Sequence, residues 1–332
     1  MSPTRLLLAP MATLSHEALR RTIERFGGCD EYYTEMIHAP SLITGGKFEH
    51  WYLKTGPCPE KIVWQLTGGE PEPIAKAAEM VADIGGLGID INMGCCAPEI
   101  RKQGAGISWM LKPIAETAAL LREVRSVIDG NTRLAGSSPL RLSIKIRLGS
   151  DDFTEEGLLT FTRMAVDEGV TQIVLHPRTK SEKFRRTPRW EWVQRLSEEL
   201  PIPVIGNGNI TGITSASAAM SAAPDSAGIM IGRTAVSSPW IFRELKNGDR
   251  EQNPERLDLL EIGTQFLDDL MVYQPQEFHK TRAQRFFSFF CDHLTYAQYL
   301  RVKIANAPSA SEIRTIFSAY FDEVPENRFY SA

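Results

Sequence analysis

Two cysteines stand side by side, Cys95 and Cys96, directly after the run Asp90-Ile91-Asn92-Met93-Gly94. A thiol at a loop tip can give or take a proton, or attack an electrophile. The plainer reading is a small buried residue, as most free cysteines are. Adjacent cysteines are poor joint metal ligands, and no CxxC or HxxxH pairing completes a site, so no metal is expected. Lys145, His176 and Gln65 could supply hydrogen-bond donors to a ring that becomes anionic on reduction, as a flavin does. A lysine paired with a carboxylate and a satisfied core histidine are the structural alternatives. Gly206-Asn207-Gly208-Asn209 and Gly232-Arg233 would let backbone N–H groups approach a phosphate, with Arg233 adding a bidentate contact. The alternative there is a pair of tight turns.

These residues gain meaning from the elements that precede them. Strands are predicted at Arg5–Met11, Glu31–His38, Lys61–Thr67, Gly88–Met93, Arg141–Leu148, Gln172–His176, Val204–Gly206 and Gly228–Ile231. Apolar runs such as IVWQL and GIMI read as strands of a parallel sheet. Helical pattern follows most of them, at Ser15–Phe26, Pro71–Ile84, Pro113–Ile128, Thr154–Glu168, Arg189–Leu200, Thr214–Ala222 and Pro239–Leu245. Only the connection between the second and third strands looks irregular. Count and length, over about 240 residues, fit a (β/α)₈ TIM barrel. A doubly wound sheet is the rival, but no GxGxxG follows the first strand. In such a barrel the reactive groups belong at the C-terminal ends of the strands, where every residue singled out above falls.

Past Leu245 the pattern changes. The polar segment NGDREQNPER reads as a linker, and Leu257 to Tyr320 reads as helix throughout, with an aromatic cluster in RFFSFFCDHLTYAQYL. The expected division is a barrel over 1–246 and an all-helical domain over 247–332.

Composition excludes several classes. The chain has 332 residues, 42% hydrophobic and 23% charged, close to the globular average, so disorder and fibrous structure are excluded. No apolar run is long enough to span a bilayer, and the N-terminus lacks a signal-peptide pattern. Five cysteines are too few for a disulfide framework, which makes a reducing cytoplasm the expected setting. A net charge of -4 excludes nucleic-acid binding by bulk charge but not by a local patch. One such patch exists. Between Arg178 and Arg189 six basic residues, Arg178, Lys180, Lys183, Arg185, Arg186 and Arg189, face one acid, Glu182. The loop follows the sixth strand, at the reactive face, where a phosphate backbone would want it. The helical segment adds Lys280, Arg282, Arg285, Arg301 and Lys303, offset by acids.

The pieces LAPM, QLTGG, DINMGC, SIKIRLG, HPRT, IGNGNI and MIGRTA, in this order and spacing, make the chain resemble the tRNA-dihydrouridine synthases. The resemblance covers residues 5 to about 245 and implies a flavin-dependent reduction of the C5–C6 bond of uridine in tRNA. It implies FMN at the barrel mouth against Pro10, Met11, Gln65, Lys145 and His176, with its phosphate near Asn207, Gly208, Gly232 and Arg233. It implies NADPH as reductant, Cys95 as catalytic acid, and Asn92 and Arg178 near the uracil, with Lys180 as a further RNA contact. The family has proline after the cysteine where this chain has Cys96, which makes Cys96 a second candidate acid. A uridine in folded RNA must be extruded to reach such a site. The partners expected are tRNA, no membrane and no metal, for a protein taken as a monomer. Rival readings are the same chemistry on ribosomal RNA, an FMN barrel reducing a small molecule (as in dihydroorotate dehydrogenases), and an RNA-binding protein without turnover.

Overall fold

The computed structural model describes residues 4–131, 139–248 and 256–331. Nine strand segments form one parallel sheet: β1 (Arg5–Leu8), β2 (Glu31–Tyr33), β3 (Ile37–His38), β4 (Ile62–Thr67), β5 (Gly88–Met93), β6 (Arg141–Arg147), β7 (Gln172–His176), β8 (Val204–Asn207) and β9 (Gly228–Ile231). The order β2-β1-β9-β8-β7-β6-β5-β4-β3 is closed by pairing of β2 with β4, so the sheet is a barrel. β2 and β3 share the second strand position, which makes eight positions around the barrel and a TIM-barrel architecture.

The strands alternate in which face they bury. Ile62, Trp64, Leu66, Ile89, Ile91, Leu142, Ile144, Ile146, Ile173 and Leu175 belong to the large core between sheet and helices. Leu7, Tyr33, Val63, Val174, Ile205 and Met230 form a separate small core inside the cylinder. By the period of two, Asp90 and Asn92 on β5, Ser143, Lys145 and Arg147 on β6, and His176 on β7 then point inward. Runs that look uniformly apolar in sequence thus carry the site on their hidden face.

One expectation is corrected. The second strand is not continuous: Thr34 and Glu35 leave the ladder. The Thr34 hydroxyl accepts the Gln65 N–H at 3.0 Å, and Glu35 turns away to meet Arg282 of the C-terminal region at 2.7 Å. The C-terminal region is helical as expected, with one short ribbon added. Its four main helices, Leu259–Tyr273, Gln276–Phe290, Ala297–Asn306 and Ala310–Glu323, are joined by a two-stranded antiparallel ribbon, β10 (Arg256–Asp258) with β11 (Phe329–Ser331). Three-residue strands so far apart in sequence carry no local signal. The linker expected over 247–256 falls mostly outside the described residues.

The aromatics of the C-terminal region make its core. Phe266 and Phe286 stack at 3.6 Å, and Phe287, Phe290 and Phe317 pack around them, all fully buried. Arg282 is buried too, and its bond to Glu35 ties this region to the barrel. Among the described residues no helix is long and apolar enough to cross a membrane.

Candidate active site

The mouth is built on a chain of hydrogen bonds that begins deep in the barrel. The Asp90 carboxylate is fully buried and accepts the Ser143 hydroxyl at 2.7 Å and Gln65 Nε2 at 2.8 Å. Burial pushes its pKa up to about 6 against these bonds. Gln65 Oε1 then accepts Asn92 Nδ2 at 2.9 Å. Asn92 Oδ1 in turn accepts the N–H groups of Cys95, at 3.0 Å, and Gly94, at 3.3 Å. Because each amide both donates and accepts, the chain fixes the orientation of Gln65 and Asn92. It also fixes the turn that presents Cys95.

Further ties hold that turn. Arg147 Nε donates to Gly94 O at 3.1 Å, and Ile107 N–H to Cys95 O at 2.9 Å. The second approach requires Gly106, whose φ is +61° and where a Cβ would lie 2.4 Å from Cys95 O. The thiol of Cys95 is half-buried. Burial raises its pKa, with Cys96 adding to the rise and Arg147 and Lys145 opposing it. It is therefore a protonated donor at neutral pH, not a standing nucleophile.

Register brings the basic groups beside it. Asn92 pairs with Lys145 across β5 and β6, and Arg147 with His176 across β6 and β7. Lys145 Nζ donates to Asn207 Oδ1 at 3.0 Å, and Asn207 Nδ2 to Met230 O at 2.8 Å. Among the described residues Lys145 makes no ion pair, so the carboxylate-bound alternative does not hold. Burial, then the charge of Arg147, lowers its pKa to about 8.

His176 is buried, and its Nε2 lies 2.8 Å from Arg178 Nη1. A guanidinium only donates, so Nε2 accepts and the proton sits on Nδ1. Burial and the surrounding cations, Lys145 first, hold the ring neutral.

The residues expected to form the site fall into three groups. Pro10 and Met11 stand at the rim half-buried, and a Cβ on Gly232 would lie 3.5 Å from Met11 Sδ. Asn207, Gly208, Gly232 and Arg233 border the same rim. Gly208 has φ of +140°, and a Cβ there would meet Pro188 at 3.2 Å and His176 Cδ2 at 3.4 Å. Lys145, His176, Asn92 and Cys95 converge as described. Gln65 and Arg178 are buried and bonded to protein partners. Gln65 is fully buried and spans Asp90 and Asn92. Arg178 is 1% exposed, with Nε on Arg186 O, Nη1 on His176 and Nη2 on Asn209 Oδ1. Both orient neighbours. Lys180 stands apart from this cluster, beside Asp151.

Three contributors were given no role from the sequence. Asp90 anchors the chain of amides. Arg147 lies on the same face as Lys145 two residues earlier, a period-two signal that could have found it. Phe184, 60% exposed, lies within 5.8 Å of His176, 5.6 Å of Arg147 and 5.0 Å of Arg233, and nothing local in the sequence announces this. Among the described residues no cluster of three or more His, Cys, Asp or Glu side chains could hold a metal ion.

Residues 7–326 match the model of a family described as dihydrouridine synthase (Dus). A probable tRNA-dihydrouridine synthase 1 of Synechocystis is 26% identical over 313 residues, 93% of this chain and 84% of that protein. A tRNA-dihydrouridine(16) synthase of Aquipseudomonas alcaligenes is 30% identical over 277 residues, 79% of this chain and 81% of that one. Among solved structures, an old yellow enzyme homologue from Zymomonas mobilis is 12% identical with a TM-score of 0.50, covering 74% of this chain and 89% of that one, a likeness of fold alone.

Proposed function

The chain belongs to the dihydrouridine synthase family, enzymes of tRNA modification, and from that premise we propose that its barrel mouth binds FMN and reduces the C5–C6 bond of a uridine in tRNA. The observation that carries this reading is a protonated thiol set beside Lys145 and Arg147, which make no ion pair among the described residues. The mouth fits a flavin mononucleotide on its own chemistry. Lys145 is a cation free of ion pairs among the described residues, and His176 offers Nδ1–H as a donor. Gly208 and Gly232, with Arg233 and Asn207, leave room and N–H groups for a phosphate.

FMN held there would, in its reduced form, supply the hydride for C6 of the uracil. Cys95 gives the proton to C5 from the opposite face, a task its raised pKa suits. Asn92 holds the Cys95 turn and, in this reading, neighbours the uracil. Lys145 would offset the negative charge of a reduced flavin held there. Gln65 and Arg178 act through Asn92 and His176, and Cys96 is the alternative acid if Cys95 is removed. NADPH is the reductant. In this reading residues 1–246 are the catalytic barrel and 247–332 an RNA-binding domain of a monomeric, cytoplasmic enzyme. The basic loop after β7 and the C-terminal region hold the RNA while the uridine is extruded.

The test is direct. The purified protein should be yellow, release FMN on denaturation, and form dihydrouridine in tRNA from a strain lacking it, with NADPH present. A colourless protein, or full activity on ribosomal RNA alone, overturns the reading.

A further inference from the structure

Beside the mouth lies a pocket of about 550 Å³ whose lining includes Asp151, Phe153, Glu182, Arg185, Arg186 and Arg189. Its acids are already satisfied from within. Asp151 accepts the hydroxyls of Ser181 and Thr179, and Glu182 accepts the Thr179 N–H at 2.7 Å and Arg189 Nη2 at 2.9 Å. Its arginines are not. Among the described residues the side chains of Arg185 and Arg186 make no hydrogen bond or ion pair, and Arg189 Nε is buried without a partner. Phe153 forms an apolar wall, with the Arg189 guanidinium 5.8 Å above its ring. A site with spare guanidinium donors and an aromatic wall suits a phosphate ester attached to a nucleoside.

The same loop reaches the mouth from its other side. The Arg186 carbonyl accepts Arg178 Nε, and Arg178 holds His176. Arg147 Nη1 donates to the carbonyl of Lys183, which has a φ of +49°, at 3.2 Å. Phe184, next to Arg185, lies against His176 and Arg147. A phosphate in the pocket is therefore one or two residues of chain away from the groups that border the reacting base.

We infer that this pocket is a phosphate subsite for the RNA nucleotide flanking the uridine that is reduced. The inference rests on the proposed function and adds to it where the backbone is gripped. The RNA is favoured over the reductant as the source of the phosphate because the same loop carries Lys180 and Lys183 beside Arg185 and Arg186, a run of cations that suits a continuous phosphate backbone.

The test replaces Arg185 and Arg186 together by glutamine, with R122Q/R163Q, two exposed arginines on the barrel helices, as a control for charge. For R185Q/R186Q the Kd for tRNA should rise about tenfold at fixed salt, and the slope of log K against log salt should fall by about one. Bound FMN, kcat at saturating tRNA, and the rate at which NADPH bleaches the flavin without RNA should match wild type. A tRNA affinity and salt slope equal to those of the control overturn the inference. So does a raised KM for NADPH with tRNA binding unchanged, which assigns the pocket to the dinucleotide. If the wild type binds tRNA but makes no dihydrouridine, the proposed function fails, and the binding comparison still decides the pocket.

Discussion

The two ends of the barrel use charge in opposite ways. At the N-terminal end Glu31, 2% exposed, holds Arg5 at 2.8 Å and Arg141 at 2.6 Å, and its charge is more than matched by protein partners. Gln172 Nε2 donates to the Tyr33 hydroxyl nearby at 2.9 Å. At the C-terminal end Lys145, Arg147, Arg178 and Arg233 make no ion pair among the described residues; the carboxylate felt by Lys145 is Asp90, a layer below, and that felt by Arg147 and Arg178 is Glu182, which is itself paired with Arg189. Crowded cations without partners cost stability, and a fold tolerates them where a ligand supplies the missing charge. The difference separates residues that hold the cylinder from residues that await something in its mouth.

The largest effect expected from breaking that division is at the thiol. Cys95→Ala should lower dihydrouridine formation by about 100-fold or more, the usual worth of a positioned acid, while FMN and tRNA binding persist. Mass spectrometry of nucleosides from reacted tRNA reads this, and near-normal rates would hand the role to Cys96. At the opposite end Glu31→Gln removes the acid between two arginines. Stability should fall by about 3 kcal/mol, read as a lower urea midpoint, because it strands partly buried guanidinium groups. The kcat of the folded protein at low temperature should not change. A loss of kcat without loss of stability would mean that the two ends are not separate.

What could be read from sequence divides along the same line. The strand limits Gly88–Met93, Gln172–His176 and Gly228–Ile231 are visible because glycine, proline and acidic residues punctuate them. Cys95, Lys145 and His176 are visible because strand ends of this fold are where chemistry sits. The break after Tyr33 is invisible because Glu35 answers to Arg282, 247 residues away. The protein partners of Gln65 and Arg178 are invisible for a related reason. Their residue types are right for touching a ligand, but whether a buried amide or guanidinium faces the ligand or a neighbour depends on partners that only the closed barrel assembles. Phe184 lies on a loop whose path is set by Arg178 and Arg147, and no local pattern foretells where its ring lands.

A smaller effect is expected at Lys145. Its ammonium loses its proton near pH 8 in the flavin-free protein, since burial and Arg147 disfavour the charge. The charged form binds FMN better, so affinity should fall as pH rises from 7 to 9. Lys145→Met should weaken binding about tenfold at pH 7 and leave a flat profile. The same depression means that the unfolded chain holds more protons between pH 8 and the ordinary lysine value. The flavin-free fold should therefore gain stability as pH rises through that window. Fluorescence titration of FMN across the range reads the first effect. A sloping profile in the methionine variant would move the titration to another group.

The smallest effect sharpens the comparison most, because Asp90 lies between the two ends. Its carboxyl titrates near 6, above the ordinary aspartate value, so across the window between them the folded state holds the extra proton. Stability from this group is therefore lost as pH rises through that window, and ionised Asp90 is a cost at pH 7. Asp90→Asn removes the cost. The asparagine oxygen can take Gln65 Nε2, and the Ser143 hydroxyl can turn to accept from the new amide, so the path to Asn92 and Cys95 stays connected. What the variant loses is the negative charge that favours protonated Lys145. The melting temperature at pH 7 should hold or rise, while the alkaline fall in FMN affinity moves about half a unit toward lower pH. If the melting temperature drops and the fall stays in place, Asp90 belongs with the paired charges of the closed end and not with the mouth.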